Sequence, residues 1–267
     1  MRRLISAIIL FFGFSIGNVI SASPLDQRAD SAYTAGDFSL ATSLYEKELK
    51  ESGSSATLYY NLGNCYYRLG KMAKAVIAYE RSLRLDPAKA SAKANLDFVN
   101  SKLVDKKGYE GSFISRTFSD ITALMSANAW GWLSLILFCL IVAATALYLF
   151  SGNVRLRKTG FFGGGIICIL FIFSIVFAFN ARNMMTAKNK GVVSVPSSIL
   201  STSPRHPQNR TEEAMLLHEG ARVTILDSVA SPTDSLKTMW YDVAFDNDHR
   251  AWINSADVEI ILSLIHI

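Results

Sequence analysis

Two stretches of the chain, Trp130–Phe150 and Phe161–Asn180, contain no charged residue at all. Each is about the 20 apolar residues that a helix needs to cross the hydrocarbon core of a bilayer. They are read as membrane spans, and they cut the rest of the chain into pieces. With them and the N-terminus set aside, two polar segments remain, 24–105 and 191–267, each able to bury only a small core.

Direction across the membrane follows from the N-terminus. Met1-Arg2-Arg3, an apolar run from Leu4 to about Phe14 and then Ser21-Ala22-Ser23 make a secretory signal over residues 1–22. It is either cleaved after Ser21 or Ala22 or, since the apolar run extends to Ile20, retained as an N-terminal anchor; in both cases Pro24 onward is translocated. The first span, 130–150, then returns the chain to the cytosol. The connection 151–160 carries Arg155, Arg157 and Lys158 and no acid, which suits a cytosolic loop. Trp130, Trp132 and Tyr148 suit the two interfaces. The second span, 161–180, sends Gly191 onward back out. Arg182, Lys188 and Lys190 flank its outer end, so the signal rather than the charge bias decides the orientation.

The net charge of +5 would fit a nucleic-acid binder until it is located. Residues 24–105 carry 11 Lys/Arg against 10 Asp/Glu, and residues 191–267 carry 5 against 10. Residues 106–190 carry 9 against 2, so the excess sits where phospholipid headgroups would be and no nucleic-acid partner is expected.

Within the first polar segment, residues 22–55 and 56–89 repeat one another. Six identities recur at a spacing of 34: Tyr33/Tyr67, Gly36/Gly70, Ala41/Ala75, Tyr45/Tyr79, Glu46/Glu80 and Leu49/Leu83. Ala29/Gly63 and Phe38/Met72 are like for like. Small residues at fixed places let paired helices approach closely while large ones fill the gaps between them. Gly36 and Gly70 end the first helix of each pair, and Asp86-Pro87 stops the last one. Residues 88–103 read as a closing helix, so the stack spans 24–104, with 105–129 as a juxtamembrane linker. Two repeats and a cap are fewer than such stacks need, which predicts that a partner or a second copy covers one end.

Period and pattern resemble the tetratricopeptide repeat, through Tyr59, Leu62-Gly63, Tyr66, Ala75, Tyr79, Ser82 and Pro87. The first repeat departs from it at Arg28, where Leu is usual, and at Gly53, where Pro is usual. The resemblance implies that first helices line a groove gripping extended peptides. Its candidate residues are Tyr60, Asn64, Tyr67 and Arg68, with Tyr33 and Phe98 beside them. Asn64 can hydrogen-bond a ligand backbone, and the tyrosines offer flat apolar area with a polar tip. The alternative is that the tyrosines only pack between helices.

In the linker, Ile114, Phe118, Ile121 and Met125 fall at helical spacing. They describe either an amphipathic helix on the membrane surface or a loosely packed connection. After the second span, Gly191–Val195, Arg222–Leu226, Trp240–Phe245 and Arg250–Ile253 are short alternating runs rich in β-branched and aromatic residues. Leu217-His218-Glu219-Gly220 before a strand, Trp240-Tyr241-Asp242-Val243 and Ala251-Trp252-Ile253 resemble a bacterial SH3-like barrel over 191–262. Ala251 replaces the usual Gly. The resemblance implies an aromatic cleft of Trp240, Tyr241 and Trp252 for peptides or cell-wall fragments. Against it, Trp252 reads as core, and Trp240 is open between cleft and core. The tail Leu262–Ile267 carries no pattern.

The residues offer little chemistry. His206, His218, His249 and His266 show no metal-ligand spacing, and no phosphate-cradling loop exists. Cys65 is alone in the repeat segment. Cys139 and Cys168 fall at similar depth in the two spans, where they form either a redox pair or small apolar positions. No enzyme activity, metal or cofactor is expected.

In order, signal, short tetratricopeptide stack, two spans and SH3-like domain resemble the BatE-type membrane protein family of the Bacteroides aerotolerance system. That resemblance implies an inner-membrane scaffold, with both soluble domains periplasmic, working beside von Willebrand factor A-domain membrane proteins and a MoxR-type ATPase in oxygen tolerance or envelope stress. The alternative is a cell-wall-sensing anchor that binds peptidoglycan through the SH3-like domain.

Overall fold

The computed structural model of the 267-residue chain describes residues 24–105, 113–187, 189–231, 238–246 and 249–261. The signal-like segment, residues 106–112 of the linker and the tail Leu262–Ile267 lie outside the described residues. Among the described residues five helices come first: α1 (Pro24–Thr34), α2 (Phe38–Ser52), α3 (Ala56–Arg68), α4 (Met72–Leu85) and α5 (Ala90–Lys102). Then come α6 (Phe113–Thr122), α7 (Ala127–Phe150) and α8 (Val154–Thr186).

The punctuation of the first five helices is that of the 34-residue period. Gly36 and Gly70 take φ of +83° and +74° after α1 and α3, with open space where a side chain would sit. Backbone conformation, not crowding, therefore asks for glycine there. The Asp37 carboxylate accepts from Leu40 N at 2.9 Å and starts α2; the Ser55 hydroxyl does the same for Thr57 N at the head of α3. α4 stops at Leu85, just before Asp86-Pro87. Gly63 meets the Tyr79 ring so closely that a Cβ would lie 2.5 Å from it, which brings α3 onto α4. Ala41 and Ala75 are fully buried at matching places, as are Tyr45 and Tyr79.

Helix α4 has a second buried face. Ala73, Val76, Ile77, Glu80, Arg81 and Arg84 recur at helical spacing and dock on the C-terminal sheet domain. Val76 and Ile77 share one apolar cluster with Val192 and Ile261. Glu80 accepts from Arg222 Nη1 at 2.6 Å, and Arg81 pairs with Glu259 at 3.2 Å. Arg84 Nη1 donates at 2.6 Å to the carbonyls of Ala187 and Ile261, and burial lowers the Arg84 pKa from the ordinary arginine range. The Glu219 carboxylate accepts from Ala73 N at 3.0 Å, and His218 meets Asp105 at 3.2 Å. One end of the short stack was expected to be covered by a partner or a second copy. What the structure adds is that one face of α4 is covered by the chain's own C-terminal domain.

Among the described residues that domain has seven strands, β1 (Lys190–Val193), β2 (Ser197–Ser201), β3 (Glu213–His218), β4 (Arg222–Ala230), β5 (Met239–Ala244), β6 (Arg250–Asn254) and β7 (Val258–Ile260). They form one antiparallel sheet in the order β3-β2-β6-β5-β4-β1-β7. A small barrel was expected; β3 and β7 are the two edges of a sheet that does not close. β2 forms inside residues 196–207, a stretch rich in serine and proline where no strand was expected. Its Leu200 is fully buried, in one core with Leu217, Val223, Val243 and Ile253. Gly220, at φ +89°, turns β3 into β4 directly against Leu103 of the stack.

α7 and α8 are long and apolar enough to cross a membrane. They pack as an antiparallel hairpin in which Gly160 lies against the Ala144 carbonyl, Gly164 against the Ala144 methyl and Ser134 against Ser174. Their turn is only residues 151–153, not 151–160: α8 starts at Val154 under an Asn153 cap, so Arg155, Arg157 and Lys158 lie on its first turns. At ~1.5 Å per residue its 33 residues run about 50 Å, longer than a bilayer core. Of the two alternatives for the linker, a helix is what forms. Trp130 Nε1 and Asn180 Nδ2 donate to the carbonyl and hydroxyl of Thr122, each at 3.0 Å, and Phe118 packs on Phe177, which fastens α6 to the open end of the hairpin.

Candidate functional site

α3 presents Tyr60, Asn64, Tyr67 and Arg68 at helical spacing, and α5 brings Phe98 beside them. The Asn64 side-chain oxygen accepts from the Tyr79 hydroxyl at 2.7 Å and from Asn95 Nδ2 at 2.8 Å. Burial pushes the Tyr79 phenol well above its ordinary pKa, so it stays a proton donor to Asn64. The Asn64 oxygen is thus committed internally, and its amide NH2 is the group available to a ligand.

The Tyr67 and Phe98 rings meet edge-on at 5.6 Å. Lys102 lies 4.6 Å from the Phe98 ring centre and donates to the Tyr67 hydroxyl at 2.9 Å. Lys89 lies 5.4 Å from the Tyr60 ring centre. Tyr60, Asn64, Tyr67 and Phe98 therefore form one continuous patch with Asn95, Lys89 and Lys102. Phe98 is half exposed, and the tyrosines are half-buried. The two remaining candidates, Tyr33 and Arg68, form an adjoining group around Phe38, with rings at 5.2 Å and the guanidinium 4.4 Å above the Phe38 ring. The patch is aromatic, amide-rich and basic, a surface suited to an extended segment with exposed backbone and some negative charge.

Asn95, Lys89 and Lys102 were missed in the sequence. One more step of the period finds part of them: Asn64 plus 34 is Phe98, and Arg68 plus 34 is Lys102. The closing helix thus acts as a third first helix rather than a plain lid.

The three aromatics expected to line a cleft in the sheet domain do not share one face. Trp240 and Trp252 lie on the face opposite the core, whereas Tyr241 packs toward the core with Val243 and Ile253. Trp252, expected in the core, is only partly buried. Trp240, left open between cleft and core, is 2% exposed, its ring meeting His206 edge-on at 5.0 Å. A second concavity, of about 340 Å³, lies between α2, α3, α4 and β7, among Glu46, Lys50, Tyr66, Lys74, Arg81 and Glu259.

Cys65 is buried, with its thiol pushed up to about 11 by burial. Cys139 and Cys168 are free and exposed on the outside of the hairpin, where no redox pair forms. Among the described residues, no group of three or more His, Cys, Asp or Glu is placed to hold a metal.

The helix pairs, their glycine stops and the shared patch across α3 and α5 define a helical-repeat protein-interaction module. Residues 27–90 match the tetratricopeptide repeat family. Among curated proteins the chain is similar to the "Protein SGT1 homolog" of Oryza sativa subsp. japonica, at 32% identity over 68 residues. That stretch is 26% of this chain and 18% of the relative, so the chain spans less than a fifth of that relative's length.

Proposed function

We propose that this protein is a non-enzymatic adaptor, anchored in a membrane by α7 and α8, that holds a protein partner on the α3/α5 patch of its tetratricopeptide stack. One observation carries the reading. The sheet domain takes the Ala73–Arg84 stripe of α4 and leaves the patch of Tyr60, Asn64, Tyr67 and Phe98 open.

The membrane part of the proposal is supported by a hairpin whose two apolar stretches carry no charge and are exposed on their outer surface and by basic residues at its turn. The apolar residues Phe113 and Ile114 of α6, both 78% exposed, continue that surface. Stack and sheet share a core, and a hairpin of two spans returns the chain to the side it left, so both modules lie on one face of the membrane. The signal-like start puts that face outside the cytosol. The open sheet is read as an SH3-like module that braces the stack. With the resemblance in domain order, this favours an inner-membrane scaffold with both modules periplasmic, serving oxygen tolerance or envelope stress beside von Willebrand factor A-domain proteins. A peptidoglycan-binding role gains no support from Trp240 and Tyr241, one buried and the other facing the core.

A photo-crosslinking residue in place of Phe98, in native membranes, tests the reading. The expected result is a discrete protein adduct that Arg68→Glu with Lys102→Glu abolishes. If Phe98 gives only the adducts formed from Leu40, an exposed position away from the patch, the adaptor reading fails.

A further inference from the structure

At the turn of the hairpin, a cavity of about 320 Å³ is lined by Tyr148, Val154, Arg157, Lys158, Phe161 and Phe162. The Arg157 guanidinium lies 5.5 Å from the centre of the Tyr148 ring, and that ring packs on Phe161 at 5.8 Å. No Asp or Glu occurs between Ala127 and Ala187, so nothing in the hairpin neutralises Arg155, Arg157 and Lys158. The nearest acid before them in sequence is Asp120, on α6 at the far end of α7, whose 24 residues span about 36 Å.

We propose that this cavity holds the phosphate of an anionic lipid headgroup. The claim rests on the reading of α7 and α8 as spans. A planar guanidinium and an ammonium side by side take phosphate oxygens, and the Tyr148 hydroxyl adds a third donor. Val154, Phe161 and Phe162 form an apolar wall that an inorganic phosphate would leave unused and that the glycerol and first methylenes of a lipid cover. The volume suits a headgroup, near the lower end of ligand-sized cavities. Basic pockets at the cytosolic ends of membrane helices select anionic lipids in this way.

The full chain is released from detergent micelles doped with phosphatidylglycerol or phosphatidylcholine and weighed intact by native mass spectrometry. Wild type retains one phosphatidylglycerol in roughly fivefold or greater preference over phosphatidylcholine, the ratio expected of about one full cationic contact. R157A/K158A brings the two lipids level. R157K/K158R keeps the preference, as does R182A at the other end of α8. Equal retention by wild type, or a preference that survives R157A/K158A, overturns the site. If inorganic phosphate displaces the lipid where chloride at equal ionic strength does not, the source is soluble phosphate and the lipid assignment falls. Separately, the chain must stay with phosphatidylcholine vesicles through an alkaline carbonate wash. Its release would remove the spanning reading, and the lipid site with it.

Discussion

Glu80 of the second repeat and Arg222 of strand β4 meet at 2.6 Å, with each side chain 18% exposed. This pair joins two modules that the apolar hairpin separates in sequence. Removing one partner strands the other charge in a mostly dry contact, which costs more than the pair itself contributes. Glu80→Ala is expected to destabilise the full chain in detergent by about 2 kcal/mol. Glu80→Ala with Arg222→Ala should recover part of that, with a coupling of about 1 kcal/mol. Denaturant titration of the four proteins of the cycle measures it, and a coupling of zero would mean the modules do not meet there.

Gly63→Ala tests the closeness of α3 and α4. The added methyl would meet the buried Tyr79 ring at 2.5 Å, and that ring is held by its bond to Asn64. The expected cost is about 2 kcal/mol, despite the better helix propensity of alanine. A neutral or stabilising result in thermal unfolding would show that the helices are further apart.

Alkaline pH should weaken the stack through Cys65. Its thiol stays protonated in the fold up to about 11, against an unperturbed value of 9.0. Between these values the unfolded chain loses a proton that the folded chain keeps, so stability falls as pH rises, by up to roughly 2–3 kcal/mol in total. Below pH 9 the thiol has no effect on the slope. Cys65→Ala should flatten the stability profile between pH 9 and 10, before the raised phenols of Tyr45, Tyr66 and Tyr79 add their own loss. An unchanged slope in the variant would contradict the burial of this thiol.

Thr122 is the clasp between α6 and the hairpin. Thr122→Val removes the hydroxyl that accepts from Asn180 and leaves the carbonyl bond from Trp130. About 1 kcal/mol of local stability should be lost, read as faster amide exchange across 113–122 with little change in α7. Exchange that is already fast in wild type would mean that α6 is not fastened to the hairpin.

The repeat module was legible because its constraints are local and periodic. Gly36, Gly70 and Pro87 mark helix ends by backbone chemistry, and uncharged runs mark the two long helices. The docking stripe on α4 was not legible. Ala73, Val76 and Ile77 alternate there with Glu80, Arg81 and Arg84, so the face reads as an ordinary solvated one, and its partners lie more than a hundred residues away. β2 was hidden by its serines, because two of its three buried residues, Ser198 and Ser201, are polar. The aromatic cleft failed for a reason the sequence did contain: Trp240 and Tyr241 are neighbours on one strand, and the pleat sends neighbours to opposite faces. Asn95 and its contacts on the candidate patch depend on how α5 lies against α3, which spacing alone does not specify.

Only residues 187–189 separate the end of α8 from β1, and Arg84 ties the first of them to the stack. A joint of three residues reaches about 10 Å at most. On the membrane-anchored reading proposed above, a change in the tilt of the hairpin as the bilayer thickens or thins would therefore swing the sheet and the stack together and re-aim the α3/α5 patch.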